Sequence, residues 1–370
     1  MIEGNTNHVR GMFICLAGVL LGFGVLMVHS ASITSWPSEF ERVYLSRHLV
    51  FLAFGVLVAS LCAWVPGRIW YRIAPSLFIL TAVLLVAVLI PGVGTKVNGA
   101  QRWLRFSGLS LQPSELAKIA LPLFVARIIV DNRERSCKWY WGLLRVVAPI
   151  ALTVVLVVLE PDLGTSLFLA LSCGVLLFVG GWPIRYFVAC LTLALPAVGS
   201  VFALKSYQAK RITGFLAAWN DFNEAPYQLK QALVTLGAGG VFGAGLGKGW
   251  QKLSFLPEAN TDFVFAVVGE ELGLIGTLSL VAVWAGLYVA GLSLLRQLER
   301  GSFAFIVSFT LLTQLVLQAA LNMAVVTALV PPKGIPHPLI SYGGSNLFVS
   351  IVSLGIVVGL SRDDRRQVRH

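Results

Sequence analysis

Apolar runs of about 20 residues alternate with short polar connections along most of the chain. The runs fall near residues 12–31, 47–66, 71–91, 114–130, 143–160, 163–182, 186–204, 263–294, 303–330 and 345–361. Each is long enough to cross ~30 Å of hydrocarbon as a helix. The pattern predicts an all-α, polytopic membrane protein with about ten transmembrane helices in a single membrane domain over 1–370. The first run is too long for the core of a signal peptide, and Ser30-Ala31-Ser32 is not read as a cleavage site. The larger polar segments, 32–46, 92–113, 205–262 and 331–344, fall on one side of the membrane if ten spans are threaded in order. The longest, 205–262, is expected to be a large extracytoplasmic loop between spans seven and eight. Within it, Tyr227 to Val234 has the spacing of a short amphipathic helix lying at the interface. A chain that spends its polar mass on one face is expected to work there.

Composition agrees with the pattern. The 370 residues are 57% hydrophobic and 12% charged, where a soluble domain carries roughly a quarter charged residues; the mean hydropathy is +0.81. The net charge of +11 sorts by side. With both termini cytoplasmic, including the short tail 362–370, fifteen Lys and Arg fall inside. Seven fall on the short outer connections: Arg42, Arg47, Lys96, Arg102, Arg105, Lys118 and Lys333. That bias satisfies the positive-inside rule, so the charge reports topology and anionic lipid. A nucleic-acid partner is not expected, since no basic face is interleaved with stacking aromatics. The five cysteines are scattered and none forms a CxxC pair, so neither a disulfide framework nor a zinc site follows.

Chemistry enters through charges near or inside the runs. Glu258 and Asp262 sit where the long loop re-enters the membrane. Asp262 can be read as a helix N-cap, since Asn, Thr and Asp are all favoured there, or as an ionised base at a helix N-terminus; residue chemistry leaves both open. Glu115 and Lys118 are three apart and share a helical face. Glu270 and Glu271 lie two turns into span eight, and Glu160 and Asp162 flank Pro161 between spans five and six. Ionised groups at mid-bilayer cost roughly 2.5–3.5 kcal/mol each, so these six read as a polar cavity opening outward, ahead of the alternative of scattered structural pairs such as Glu115 with Lys118. Arg102 and Arg105, with Trp103 between them, offer guanidinium groups suited to forked phosphate contacts, or equally Trp103 is a membrane anchor and Arg102 a headgroup contact. Seven glycines between Gly237 and Gly249, with Lys248 among them, read equally as tight turns or as a phosphate-facing backbone nest. Pro331 to Pro338 is stiff and non-helical, and His337 within it is read as a loop residue. Gln314, Gln318 and Asn322 are read as interhelical hydrogen bonders.

Taken in order, these segments resemble the SEDS family of FtsW and RodA (shape, elongation, division and sporulation). The resemblance is carried by Ser30-Ala31-Ser32, Asn98-Gly99-Ala100-Gln101-Arg102-Trp103, Gln112-Pro113-Ser114-Glu115-Leu116-Ala117-Lys118 and Glu160-Pro161-Asp162-Leu163-Gly164-Thr165. It continues through Tyr227-Gln228, the glycine-rich run, Pro257-Glu258-Ala259-Asn260-Thr261-Asp262-Phe263, Gly269-Glu270-Glu271-Leu272-Gly273 and Pro338-Leu339-Ile340-Ser341-Tyr342-Gly343-Gly344-Ser345. Pro257-Glu258-Ala259 is closer to the FtsW form than to the RodA form. Two positions depart from the family pattern: Asn260 stands where the family usually has His, and Pro332 where it usually has Thr.

The resemblance implies a peptidoglycan glycosyltransferase of the bacterial cytoplasmic membrane. It would polymerise lipid II, the polyprenyl-pyrophosphate-linked disaccharide peptide, on the outer face during division or elongation. A class B penicillin-binding protein transpeptidase would work beside it, with other divisome or elongasome membrane proteins. It also implies that Asp262 is the essential acid, here the general base. Arg102 and Lys118 are then the first choices to stabilise the pyrophosphate, with Lys333, Arg211 and Lys248 behind them. Glu115 would orient Lys118; Glu160 and Asp162 would shape the cavity floor; Glu258 and Ser341 complete the expected substrate-binding set. No metal-ligand spacing is present, and a divalent cation (Mg or Mn) is the one cofactor that pyrophosphate chemistry leaves open. The rival reading is a lipid II flippase or transporter using the same cavity, and a third is a scaffold that only anchors a transpeptidase.

Overall fold

The computed structural model describes residues 2–32, 39–97, 100–106, 109–132, 139–190, 192, 213–217, 219, 221–250 and 256–367. Its helices are α1 (Ile2–Ser32), α2 (Glu39–Cys62), α3 (Gly67–Leu89), α4 (Pro113–Asp131), α5 (Trp139–Leu159), α6 (Leu163–Val179), α7 (Tyr227–Ala238), α8 (Val264–Leu295), α9 (Phe303–Val326) and α10 (Gly344–Gln367). Among the described residues, six stretches are long and apolar enough to cross a membrane: Asn7–Ala31, Tyr44–Cys62, Gly67–Leu89, Val264–Leu295, Phe303–Val326 and Gly344–Arg362. They coincide with expected spans one to three and eight to ten. The shorter apolar helices Leu144–Leu159 and Leu163–Val179 occupy expected spans five and six. Span four is the helix α4, whose Glu115, Lys118, Arg127 and Asp131 keep it below that apolarity. Residues 184–190 are helical, and most of the remainder of expected span seven lies outside the described residues.

The bundle is apolar on its outer surface as well as in its core. Large side chains such as Leu57, Ile79, Val83, Phe178 and Ile184 are exposed, as lipid-facing positions are. The interior mixes apolar groups with Ser, Thr, Asn and Gln. At its centre is α10, the most deeply buried of the candidate spans. It approaches α2 through small residues: a Cβ on Gly355 would stand 2.4 Å from the carbonyl oxygen of Ala59, and one on Gly359 2.8 Å from that of Cys62. In lipid, such seams are what let helices gain dispersion contacts, because no hydrophobic drive holds them together. On the other side of the bundle, a Cβ on Gly24 of α1 would lie 2.2 Å from Leu339 O, so α1 backs the segment that precedes α10.

Two features correct the all-helical expectation. The connection 92–113 contains a three-stranded antiparallel sheet, ordered β1 (Thr95–Val97), β2 (Ala100–Phe106), β3 (Leu109–Leu111). Arg105 pairs with Ser110 across β2 and β3, and a bulge separates Thr95 from Lys96 on β1. The period of two along β2 turns Ala100, Arg102 and Leu104 inward and leaves Arg105 exposed. Arg102, and not its neighbour Arg105, therefore reaches the bundle.

The second correction is α8. At 32 residues it would measure about 48 Å as one rod, too long for ~30 Å of hydrocarbon. Gly273 breaks it, at φ 65 and ψ −161. The break leaves orphan carbonyls on one side and orphan amides on the other, and the glycine-rich loop satisfies both. Ala244 N and Gly245 N donate to Glu270 O and Glu271 O at 2.9 Å, while Leu274 N and Ile275 N donate to Gly240 O and Val241 O at 2.9 and 3.2 Å. Cβ atoms on Gly239 and Gly243 would lie 1.9 Å from Gly269 O and 2.2 Å from Glu271 O, so this contact admits no side chain at either. The glycine run reads as tight turns or as a phosphate-facing nest; close backbone packing against α8 is what Gly239 and Gly243 serve here. Glu270 and Glu271 accordingly end the first half of α8 instead of sitting inside a continuous span. Ser30 Oγ donates to both oxygens of Glu271 at 2.6 and 2.7 Å, and Trp250 N to Glu270 Oε1 at 2.7 Å. The helix α7 packs on this same part of α8, burying Leu229, Ala232 and Thr235.

Candidate active site

Asp262 is not the helix cap. The N-cap position of α8 is Phe263, which makes no side-chain cap hydrogen bond, and Asp262 lies one residue before it in the preceding turn. The turn before it is closed by Glu258, an exposed residue in the left-handed region at φ 57. Its carbonyl accepts from Thr261 N and Phe263 N at 3.1 and 3.2 Å, and its Oε2 from Thr261 Oγ1 at 2.8 Å. This turn is then clasped to segment 331–343. Tyr342 N donates to Asn260 O at 2.8 Å, and Ser341 Oγ to Thr261 O at 2.5 Å. Ser341 Oγ also accepts from His337 N at 2.8 Å. A Cβ on Gly334 would stand 3.0 Å from Asp262 Oδ2, so the carboxylate lies directly against that glycine.

The other side of the clasp comes from α9. Gln314, Gln318 and Asn322 recur every four residues and so share one face. Asn322 Nδ2 donates to Asp262 O at 2.7 Å and to Ile335 O at 2.8 Å, joining the two segments. One turn earlier, Gln318 Nε2 donates to Pro336 O at 2.8 Å and Asn346 Oδ1 at 3.0 Å, and its Oε1 accepts from Lys118 Nζ at 3.0 Å. Gln314 Oε1 accepts from Ser172 at 3.1 Å. The interhelical role expected of these residues holds for Gln314 and Gln318, whereas Asn322 bonds loop backbone and so positions Asp262.

Segment 331–335 runs over the N-terminus of α6. A Cβ on Gly164 would come within 3.6 Å of Asp162 Oδ1, 3.8 Å of Ile335 and 3.9 Å of the Lys333 Cβ. Asp162 is the α6 N-cap, accepting from Thr165 N at 3.1 Å. It also accepts from Gln112 Nε2 at 3.4 Å and faces the Arg102 guanidinium at 3.7 Å. Arg102 donates in addition to the carbonyls of Glu160 and Pro161, at 3.4 and 2.5 Å. The Glu160 side chain is fully buried, and neither carboxyl oxygen has a hydrogen-bond partner among the described residues. Burial first, and the neighbouring Asp162 second, push its pKa up to about 8 against the pull of Arg102. Lys333 is half-buried and makes no hydrogen bond or ion pair among the described residues; burial lowers its pKa. Burial likewise pushes His337 down to about 4, so it is neutral near pH 7.

The expected residues therefore divide. Asp262, Ser341, Lys333, Asp162, Glu160 and Arg102 lie along one contiguous strip at one end of the bundle. Glu115 and Lys118 lie deeper, bonded to each other at 2.8 Å through both carboxylate oxygens, and reach the strip through Gln318. Lys248 is exposed on the loop that fills the break in α8. Arg211 lies outside the described residues. No group of three or more His, Cys, Asp and Glu side chains converges as metal ligands among the described residues. Sequence reading did not identify Gly164 and Gly334, whose bare faces let the strip close; nothing in their local sequence marks them.

A sequence pattern of the family described as "Cell cycle protein", which groups FtsW, RodA and SpoVE, matches residues 10–366. A protein of Methylomonas methanica named "Probable peptidoglycan glycosyltransferase FtsW" is 37% identical over 354 residues, covering 95% of this chain and 91% of its own. One of the same name from Legionella pneumophila is 34% identical, covering 94% and 89%. Among solved structures, one described as "Structural coordination of polymerization and crosslinking by a peptidoglycan synthase complex" superimposes with TM-score 0.78 at 27% identity, over 95% of this chain and 97% of that one. The crystal structure of the rod shape determining protein RodA of Thermus thermophilus gives 0.70 at 28% identity, over 95% and 96%.

Proposed function

The chain belongs to the cell cycle protein family of FtsW, RodA and SpoVE, and from that premise we propose that it is a peptidoglycan glycosyltransferase polymerising lipid II. The observation that carries the residue-level reading is the strip itself. The Asp262 carboxylate, held through its own backbone by Asn322, lies against Gly334, next in sequence to an unpaired Lys333.

In the reaction, the 4-hydroxyl oxygen of the acceptor sugar attacks the anomeric carbon of the donor. The carbon–oxygen bond to the pyrophosphate breaks, Asp262 takes the hydroxyl proton, and the polyprenyl pyrophosphate leaves with the bonding electrons. Negative charge grows on the pyrophosphate, so preorganised cations lower the barrier. Geometry favours Lys333 and Arg102 for this task over Lys118, whose charge is already balanced by Glu115. Arg211 and Lys248 remain as outer contacts. Glu160 and Asp162 shape the floor by holding Arg102, while Glu258 and Ser341 hold the Asp262 turn. The donor set does not make a resident metal site among the described residues, and the steps above use none; titration with Mg or Mn reads any dependence.

Ten spans, the large loop outside between spans seven and eight, and both termini in the cytoplasm complete this reading for a single multi-pass domain of the bacterial cytoplasmic membrane. The FtsW name of the relatives supports a role in division. The synthase-complex neighbour supports a class B penicillin-binding protein as partner among other divisome proteins. The test is lipid II polymerisation by the purified protein with its transpeptidase partner, read as glycan strands on a gel. Strands from the wild type and none from Asp262→Asn are expected. No strands from either would sink the polymerase reading and make lipid II translocation across vesicles the assay to run.

A further inference from the structure

The glycine-rich loop that fills the break in α8 carries a second feature that the reaction does not use. Its tip presents Val241, Phe242, Leu246 and Trp250 outward, Phe242 at 82% and Trp250 at 74% exposure. Exposed apolar groups on a floppy loop carry little meaning, but this loop is rigid. Four backbone hydrogen bonds fix it to residues 270–275, and a fifth holds Trp250 N on the Glu270 carboxylate. An ordered cluster of large apolar side chains in water is unfavourable and normally marks a surface that is covered.

Helix length locates the cluster. Counting back from the end of α8, residues 274–295 rise about 33 Å, which matches ~30 Å of hydrocarbon. The break at Gly273 therefore sits at one boundary of the membrane, and the loop tip sits at the same height. The tip is also continuous with an outward-facing stripe on the crossing half of α8, formed by Leu274, Ile275 and Leu278. Val241 and Ile275 are joined by a backbone hydrogen bond at that boundary. An exposed Lys248 stands among the apolar residues, suited to a lipid phosphate while its stem lies along the tails. Trp at this height is the side chain that membrane interfaces favour.

We infer that the tip, residues 241–250, is a lipid-inserted anchor, seated in the headgroup–acyl boundary of the leaflet on the Gly273 side. It fixes the loop, and through it the first half of α8 that begins two residues after Asp262, at the height of the lipid headgroups. The inference stands on exposure, rigidity and helix length, and does not depend on which reaction the strip performs.

The experiment uses the full chain in bilayers, with native Trp fluorescence quenched either by lipids brominated near the headgroup end of the acyl chain or by aqueous iodide. The difference between wild type and Trp250→Phe isolates the Trp250 signal. Brominated lipid is expected to reduce that signal about twofold with iodide nearly without effect, as for an interfacial Trp. Should Trp250→Phe not yield folded protein, Phe242→Trp supplies the same reading by addition of a signal. A Trp250 component open to iodide and blind to brominated lipid overturns the inference. So does one that stays open to iodide in lipid and is shielded only on adding the transpeptidase partner, which would assign the tip to a protein interface.

Discussion

Two polar regions lie within the same apolar bundle, and they are built differently. Around Lys118 the charges close on one another: the ammonium meets both Glu115 oxygens and Gln318, and Gln318 meets Asn346 and a backbone carbonyl, leaving Asn346 Nδ2 as the buried polar atom of this group without a partner among the described residues. Around Asp262 the backbone is closed but side chains are left over. Lys333 has no partner among the described residues, Glu160 has two orphaned oxygens, and Arg102 remains about a third exposed beside Asp162. A buried polar network whose charges are all paired holds helices in register. One that is only partly satisfied is unfavourable unless something else completes it. The difference separates structural charge from charge kept available for a ligand.

The sharpest way to break this comparison is to neutralise one member of each region. Asp262→Asn should lower lipid II polymerisation by about 10²–10⁴-fold, the usual contribution of a general base, while thermal stability in detergent stays near that of the wild type. Retention of most activity would remove the base from the mechanism. Lys118→Met should do the opposite, leaving Glu115 buried and unpaired at a cost of about 3–5 kcal/mol. That loss would be seen as a lower melting temperature and lower membrane levels. Adding Glu115→Gln should recover much of the stability, because the pair is then absent instead of half present. A Lys118→Met protein with normal stability and no activity would move Lys118 into the open region.

A smaller effect tests how the open region is held. Asn322→Ala removes two hydrogen bonds to backbone carbonyls at Asp262 and Ile335, a change worth about 1–3 kcal/mol of stability. Because the lost contact positions the base without touching substrate, kcat should fall about tenfold, as misplacement of a reacting group by a fraction of an ångström does. KM should change little. An equal rise in KM with unchanged kcat would mean that Asn322 serves binding and not the placement of Asp262.

How far the sequence itself disclosed this arrangement depended on the range of the signal. Run lengths gave the candidate spans, since crossing a bilayer imposes a length on each. The i, i+4, i+8 spacing of Gln314, Gln318 and Asn322 disclosed a polar face, and Glu115 with Lys118 disclosed a pair. The break in α8 was not legible: the run 263–294 reads as one span, and the capping of the break at Gly273 by a loop far back in the chain is a long-range contact. The sheet was missed because its strands are of three, seven and three residues, and the period of two along Ala100–Phe106 is short beside the helical signal on either side. Asp262 could not be separated from a helix cap by local chemistry, since Asn260, Thr261 and Asp262 all cap well. Only the placement of the N-cap at Phe263 separates them.

Glu160 supplies the finest test, because it sets the open region's unmet polarity against pH. Its carboxyl lies in the turn between α5 and α6, where burial and Asp162 raise its pKa to about 8; unfolded, a glutamate titrates near 4.3, to within about a unit. Between those values the folded protein holds a proton that the unfolded chain has released, so stability must fall as pH rises through that window and level off above it. Glu160→Gln removes the titration and keeps the shape. Its melting temperature should decline less steeply than the wild type's between pH 5 and 8, with the variant the more stable of the two at the upper end. Parallel curves would mean that Glu160 is not held neutral by its surroundings. The contrast between the closed and open regions would then rest on Lys333 and the partly exposed Arg102 alone.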